Sequence, residues 1–323
     1  MNLQRKGIAI LLVFSIILTS CIGDYGVSAA ERGKEENGSP LIERKDNQRK
    51  EKKSKRTKYS TTYEWSNGQQ ETEFYSSEVR FQDKKSGKLV DYDSKLIPVD
   101  DHDKTLNGKK LSEYKYKNKS GDKKHYFPEK IKKDSPIITE YENYQISIVP
   151  KTVSASAVVL DEEVSATDIY GNEDEVSNSV TYEEVKENTD VKWNSLEDGI
   201  KESIILKEPP KSNRFEYILQ TEGCYPKLDT DSKEEKQAVT LSFFDKKTKA
   251  KVGCIPEAFM TDSSEDGAYS RDCYYRLEKS KKNTFVLTIV VSEEYLKDQE
   301  RVYPVTIDPT VVCKLRIQWM LPM

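Results

Sequence analysis

Val180-Thr181-Tyr182, Val191-Lys192-Trp193 and Ile204-Ile205-Leu206 carry the reading that decides the fold. In the first two, large apolar side chains flank a polar one, the period-two pattern of a strand with one face buried. The third is a short apolar run of the kind that suits a strand covered on both faces. The pattern recurs at Phe215, Tyr217 and Leu219, then at Val239, Leu241 and Phe243, and as a fuller run from Phe285 to Val291. Runs roughly ten to twenty residues apart, broken by Lys, Gly and Pro turns, predict an antiparallel sandwich-like module over residues 180–309. One short helix is expected inside it, with Ser292 as N-cap of Glu293 to Lys297 and acids in its first turn.

Upstream, a second β module is expected over residues 59–150. Tyr63-Glu64-Trp65 runs into Asn67-Gly68, a strong hairpin-turn dipeptide, and Glu71 to Gln82 then alternates through Thr72, Phe74, Ser76, Val79 and Phe81. Asp83 to Lys88 reads as a turn, Leu89 to Tyr92 as a strand, and Ile137 to Val149 as a strand pair ended by Pro150. Residues 103–134 read as Lys-rich loops carrying Tyr114, Tyr116, Tyr126 and Phe127. The fold class is therefore mainly β, with two antiparallel, sandwich-like modules.

The chain has 323 residues, of which 33% are charged and 35% apolar even with 19 tyrosines counted. That leaves too little apolar surface for one large enzyme core spanning the whole length. Polar tethers account for much of the imbalance. Residues 31–58 read as a disordered linker whose block from Glu43 to Lys58 has a net charge of +6. Residues 151–179 read as an acidic connector, and from Asp161 to Glu202 the net charge is −11. No aromatic residues interleave the basic block, so nucleic acid is not expected as a partner. Anionic wall polymer or membrane lipid is the partner such a block would suit.

Residues 1–30 read as an export signal. Arg5 and Lys6 precede an uncharged apolar run from Gly7 to Leu18, too short for the ~20 residues a membrane span needs. Two processing sites remain open. Leu18-Thr19-Ser20-Cys21 is similar to a lipobox, which makes Cys21 a lipidation candidate; Val27-Ser28-Ala29 before Ala30 has the small-residue pattern of signal-peptidase cleavage. Either one exports the chain to the cell surface or beyond. Mass spectrometry of the mature N-terminus separates them, through diacylglyceryl-Cys21 in one case and a free Ala30 in the other.

Few residues suggest chemistry. Export makes a disulfide among Cys224, Cys254 and Cys273 possible, with the pairing open, though three small buried apolar residues explain them better. Cys313 lies in the tail. His102, in Asp100-Asp101-His102-Asp103, and His125, in Lys124-His125-Tyr126, read as solvated surface residues. Asp262-Ser263-Ser264-Glu265-Asp266-Gly267 lacks calcium-loop spacing and reads as a turn. There is no P-loop, G-x-S-x-G elbow, dinucleotide fingerprint or H-E-x-x-H. No catalytic residue, metal or cofactor is expected, and the chain is expected not to be an enzyme.

Three further stretches carry a family resemblance. They are Val180-Thr181-Tyr182 … Asn188-Thr189-Asp190-Val191-Lys192-Trp193 … Gly199 to Leu206, then Arg301-Val302-Tyr303-Pro304-Val305-Thr306-Ile307-Asp308-Pro309-Thr310, and, less specifically, Tyr75 to Asp83 with Gly87-Lys88 and Asp91-Tyr92-Asp93. Together they resemble the N-terminal region of bacterial wall-associated, Rhs (YD-repeat) and DNRLRE-domain cell-surface proteins, across residues 59–310. The resemblance implies a secreted, β-rich structural and presentation module, with repeat domains and a toxin further along in such proteins. Residues 311–323 depart from the pattern, which suggests a truncated or frameshifted gene lacking the downstream repeats and toxin domain. The rival expectation is a lipid-anchored surface protein that binds cell-wall polymer or glycan.

Overall fold

The computed structural model describes residues 49–75, 78–84, 86–161, 164–167, 173–230 and 237–312. Cys21, Ala29, Ala30, Cys313 and the rest of the tail lie outside the described residues. Strand accounts for 58% of the described residues and helix for 3%, so the mainly-β, sandwich-like class read from the alternation is the class that forms.

The chain divides into two compact units, up to Arg80 and from Phe81 onward. In the first, Arg49–Glu51, Ser60–Trp65 and Gln70–Phe74 form a three-stranded antiparallel sheet. Gly68 sits at the hairpin turn with φ +82°, a conformation that costs glycine little. Residues 49–58, assigned to the charged linker by sequence, contribute the first strand and the 3-10 turn Lys53–Lys55. Ion pairs explain their order: Arg49 Nη1 lies 2.6 Å from Glu73, and Arg56 pairs with Glu51. Arg80 is buried and donates from Nη1 to the Ser60 carbonyl at 2.9 Å and from Nη2 to Thr61 Oγ1 at 2.7 Å. A buried guanidinium is tolerable where its N–H groups find such acceptors.

The second unit holds two large antiparallel sheets. One has nine strands, in the order Gln237–Ala238, Cys273–Lys281, Thr284–Val291, Arg214–Glu222, Tyr144–Pro150, Ile137–Tyr141, Lys123–Pro128, Tyr114–Ser120 and Asp93–Pro98. The main path of the other runs Cys224–Leu228, Leu241–Asp245, Lys251–Ile255, Thr310–Val312, Gly199–Leu206, Thr189–Ser195, Ser179–Lys186, Ser156–Leu160 and Lys130–Ile131. Strands from before and after residues 151–179 share each sheet, and Ser156–Leu160, inside the stretch read from sequence as a connector, is itself a strand of the second. In the nine-stranded sheet, Tyr144–Pro150 pairs with Arg214–Glu222 from Gln145 opposite Glu222 to Pro150 opposite Tyr217.

One apolar core lies between the sheets. Ile146, Leu219 and Leu287 come from the first, and Val180, Trp193, Ile204, Leu241 and Phe243 from the second. The alternation in the sequence is the alternation of burial: Thr189–Ser195 turns Val191 and Trp193 inward, and Gly199–Leu206 turns Ile204 and Leu206 inward while Ile205 stays half-buried. Burying each such side chain stabilises by about 1.5–3 kcal/mol. Several buried tyrosines spend their hydroxyls on loop or strand-end carbonyls, among them Tyr182 on Pro128, Tyr114 on Pro136 and Tyr275 on Pro256, each at 2.8 Å. Ser292 caps Glu293–Lys297 as read from sequence, its hydroxyl accepting from Tyr295 N at 3.3 Å.

Replacing Leu219, which is fully buried, with alanine is expected to lower unfolding free energy by about 3 kcal/mol in urea titrations. Phe74→Ala, at an 81% exposed position, is expected to change it by less than about 0.5 kcal/mol.

Candidate functional site

The two most specific stretches of the sequence meet in one sheet. Ser179–Lys186, Thr189–Ser195 and Gly199–Leu206 follow one another as a meander. The other edge of Gly199–Leu206 is taken by Val305–Asp308 and Thr310–Val312, with Ile204 opposite Ile307, Leu206 opposite Val305 and Lys201 opposite Thr310. Pro309, which has no N–H to offer a ladder, separates the two segments, and its carbonyl accepts from Glu202 N at 3.0 Å. Lys201 Nζ lies 2.7 Å from Asp308 Oδ2 on the same seam. Burial holds the Asp308 carboxyl above the usual range, against the pull of Lys201.

Arg301 and Asp262 lock the approach to this seam. Asp262 Oδ1 accepts from Ser264 N at 3.2 Å, Ser264 Oγ at 2.6 Å and Ala268 N at 2.8 Å. Its Oδ2 accepts from Arg301 Nη1 at 2.9 Å and Val302 N at 3.2 Å. Burial alone would raise this carboxyl, but the hydrogen bonds from Ser264, Val302 and Arg301 hold it well below the usual range. The acidic stretch is thus the side-chain-closed turn read from sequence, with both oxygens of Asp262 engaged by protein donors. The Arg301 guanidinium lies 3.7 Å from the centre of the Tyr295 ring, and the Tyr295 hydroxyl donates to the Ala268 carbonyl at 2.6 Å. The Tyr303 hydroxyl donates to the Leu296 carbonyl at 2.8 Å, which ties the short helix to the Arg301–Thr310 stretch.

Glu202 is the unusual group. It sits opposite Trp193 in the ladder, only 2% exposed, and neither Glu202 Oε1 nor Trp193 Nε1 has a hydrogen-bond partner. Burial pushes its pKa up to about 8, the charge of Asp308 adds to the shift, and a hydrogen bond from Tyr217 opposes it. At neutral pH the carboxyl keeps its proton.

The other residues singled out by sequence are scattered. Cys224 and Cys273 are buried, Cys254 is half-buried, and all three are free thiols. Burial pushes the Cys224 and Cys273 thiols up to about 12. His102 lies in an exposed turn, its N–H donating to Asp100 Oδ1 at 2.8 Å. His125 departs from the expected surface position. It is fully buried in Lys123–Pro128, with Nδ1 3.2 Å from Thr139 Oγ1 and Nε2 3.3 Å from the Leu196 carbonyl, and burial pushes its pKa down to about 3. Its lysine neighbours disguise a strand that sequence reading placed in a loop. Among the described residues no three His, Cys, Asp or Glu side chains gather as a metal site.

Fold and seam define a mainly β, sandwich-like chain. The chain is 35% identical over 139 residues to the tRNA(Glu)-specific nuclease WapA of Bacillus subtilis subsp. natto strain BEST195, a match covering 42% of the chain and 6% of that protein. It is 35% identical over 139 residues to the tRNA nuclease WapA of Bacillus subtilis strain 168, and 34% identical over 139 residues to the tRNA3(Ser)-specific nuclease WapA of Bacillus spizizenii; both matches again cover 42% of the chain and 6% of the relative. No family model matches the chain, and no solved structure matches it closely enough to count. These matches link it at the family level to wall-associated, Rhs-type proteins and coarsely to the cell surface. They also correct one expectation: the reading that the chain is not an enzyme is overturned by relatives that are all named nucleases. That expectation rested on missing catalytic motifs, a weak guide for a match that spans so small a part of its relatives.

Asp262→Ala takes the buried acceptor from Arg301 Nη1 and from the Ser264, Ala268 and Val302 N–H groups, and is expected to lower unfolding free energy by about 3 kcal/mol. Glu202 gives the chain a pH dependence of defined sign. Between the ordinary value of 4.5 and about 8 the folded chain holds a proton that the unfolded chain has released, so stability falls as pH rises through that window. Glu202→Gln is expected to flatten that slope and to exceed the parent above pH 8 by on the order of a few kcal/mol, measured by urea unfolding at pH 5, 7 and 9.

Proposed function

We propose that the chain is an exported structural and presentation region of a wall-associated, Rhs-type protein, equivalent to the β-rich leader of such proteins. The observation that carries this reading is the match to three wall-associated nucleases at 34–35% identity. Because the chain spans only 6% of the length of these relatives, their tRNA-nuclease activity enters as part of the proposal, for the protein as a whole. The physical contribution of this region is a shape that resists unfolding outside the cell. A presenting module needs distant stretches of its chain held together, and the seam between Gly199–Leu206 and Val305–Val312 joins stretches about a hundred residues apart. In this reading the leader delivers the chain to the wall.

The test is to express the full chain in Bacillus subtilis and fractionate the cells. The expected result is a chain cleavable by protease on intact cells and released with the wall by lysozyme. Recovery in the membrane pellet with diacylglycerol on Cys21 would replace this reading with that of a lipid-anchored surface protein. Recovery in the cytoplasm would overturn both.

A further inference from the structure

At one end of the second unit the two large sheets part over a small open cavity. The nine-stranded sheet supplies Pro150, Phe215 and Tyr217, and the other supplies Val185, Val191 and Ile204. After Pro150 the chain crosses the gap, with Lys151 N donating to the Glu216 carbonyl at 2.8 Å and Ser154 N to the Val185 carbonyl at 2.8 Å. Thr152, exposed between these two bonds, stands at the mouth. On the facing strand the ladder register breaks between Tyr182 and Lys186, with Glu184 at φ +50°, so that Val185 turns inward and Lys186 outward. The cavity measures about 90 Å³, room for an apolar group of a few carbons.

The mouth has positive charge left over. Lys186 and Arg214 line it and are exposed, and among the described residues neither side chain has a hydrogen bond or an ion pair. The carboxylates nearby are already taken. Glu216 accepts from Lys151 Nζ at 3.1 Å through both oxygens, and Glu187 pairs with Lys211 at 2.7 Å. An apolar throat with two uncommitted cations at its opening suits an anion that carries one short apolar group. From this geometry we propose that the cavity is a binding site for a small alkyl carboxylate. The carboxylate meets Lys186 and the Arg214 guanidinium, whose forked N–H groups can hold both oxygens, and both cations are reached directly from solvent. The alkyl group enters past the half-buried Phe215 toward Val185 and Ile204. Selection rests on exposed charge and apolar contact, with no demand on a polar group inside the throat. The inference stands on the shape and charge of the cavity and holds whichever cell fraction the chain occupies.

Ligand-observed saturation-transfer NMR on the purified full chain tests it. Acetate, propionate, butyrate and hexanoate form the series, with butyramide and butylammonium as the uncharged and cationic counterparts of butyrate. Each added methylene is expected to tighten binding about fourfold as far as butyrate, with little further gain at hexanoate. Butyrate is expected to bind roughly fivefold more tightly than butyramide, and butylammonium more weakly still. Arg214→Gln, at an exposed position, is expected to weaken butyrate about threefold with circular dichroism unchanged. Thr152→Trp, which fills the mouth from an exposed position, is expected to abolish binding; should that variant misfold, Lys186→Glu takes its place, with a loss of roughly fivefold. No saturation transfer to butyrate from the folded parent, equal binding of butyramide, tighter binding of butylammonium, or affinity indifferent to chain length or to every folded variant would overturn the proposal.

Discussion

The ladder on either side of Gly199–Leu206 is the constraint on which the larger unit depends. Seven residue pairs join this strand to Thr189–Ser195, and three more join it to each of Val305–Asp308 and Thr310–Val312. Antiparallel neighbours that follow one another in sequence cost little loop entropy to bring together. The closure with Val305–Val312 spans about a hundred residues and is repaid only when the core between the sheets forms as well. Ile200, Ile204 and Leu206 on one partner and Val305 and Ile307 on the other are all buried in that core. Pairing and packing are therefore one event here. The Arg301–Asp262 lock acts on the same closure, because it fixes the direction from which Val305–Asp308 enters.

Strand and turn chemistry were legible in the sequence because they are local. Asn67-Gly68, the Ser292 cap and the inward set of Val191, Trp193, Ile204 and Leu206 each depend on neighbours a few residues away. What is non-local was hidden. Nothing near Tyr144–Pro150 marks Arg214–Glu222 as its partner, and nothing near His125 reveals that Thr139 and Leu196 surround it. Charge misled for the same reason. Arg49 looks solvated in a lysine-rich stretch, yet it pairs with Glu73, twenty-four residues away. The cavity between the sheet ends was equally invisible, since Val185, Ile204 and Phe215 are ordinary inward positions until the core brings their strands together.

The polar groups buried between the sheets are unequal in effect. A tyrosine hydroxyl that donates to a carbonyl, as Tyr182 does to Pro128, satisfies two groups at once and adds net stability of about 1 kcal/mol. Such carbonyls next to prolines tend to fall where the regular ladder is interrupted, so a long side chain with a polar tip suits them better than another strand. Glu202 has no such balance. Its carboxyl and the Trp193 indole N–H are both buried without full partners, and the proton it retains is the cheaper of two unfavourable states.

Three unpaired thiols sit awkwardly with a chain proposed to work outside the cell, where disulfides form readily. Burial resolves the conflict. The reactive species in oxidation and exchange is the thiolate, and Cys224 and Cys273, with pKa values near 12, hold almost none of it at physiological pH. Cys254, half-buried in Lys251–Ile255, is also raised by burial, though less protected by it. The thiols thus persist for the reason the core does: the same apolar packing that closes the two sheets keeps water from the sulfur atoms. Among the described residues, stability rests on the longest-range strand pairing and the core beneath it, with Cys224, Cys254 and Cys273 all free.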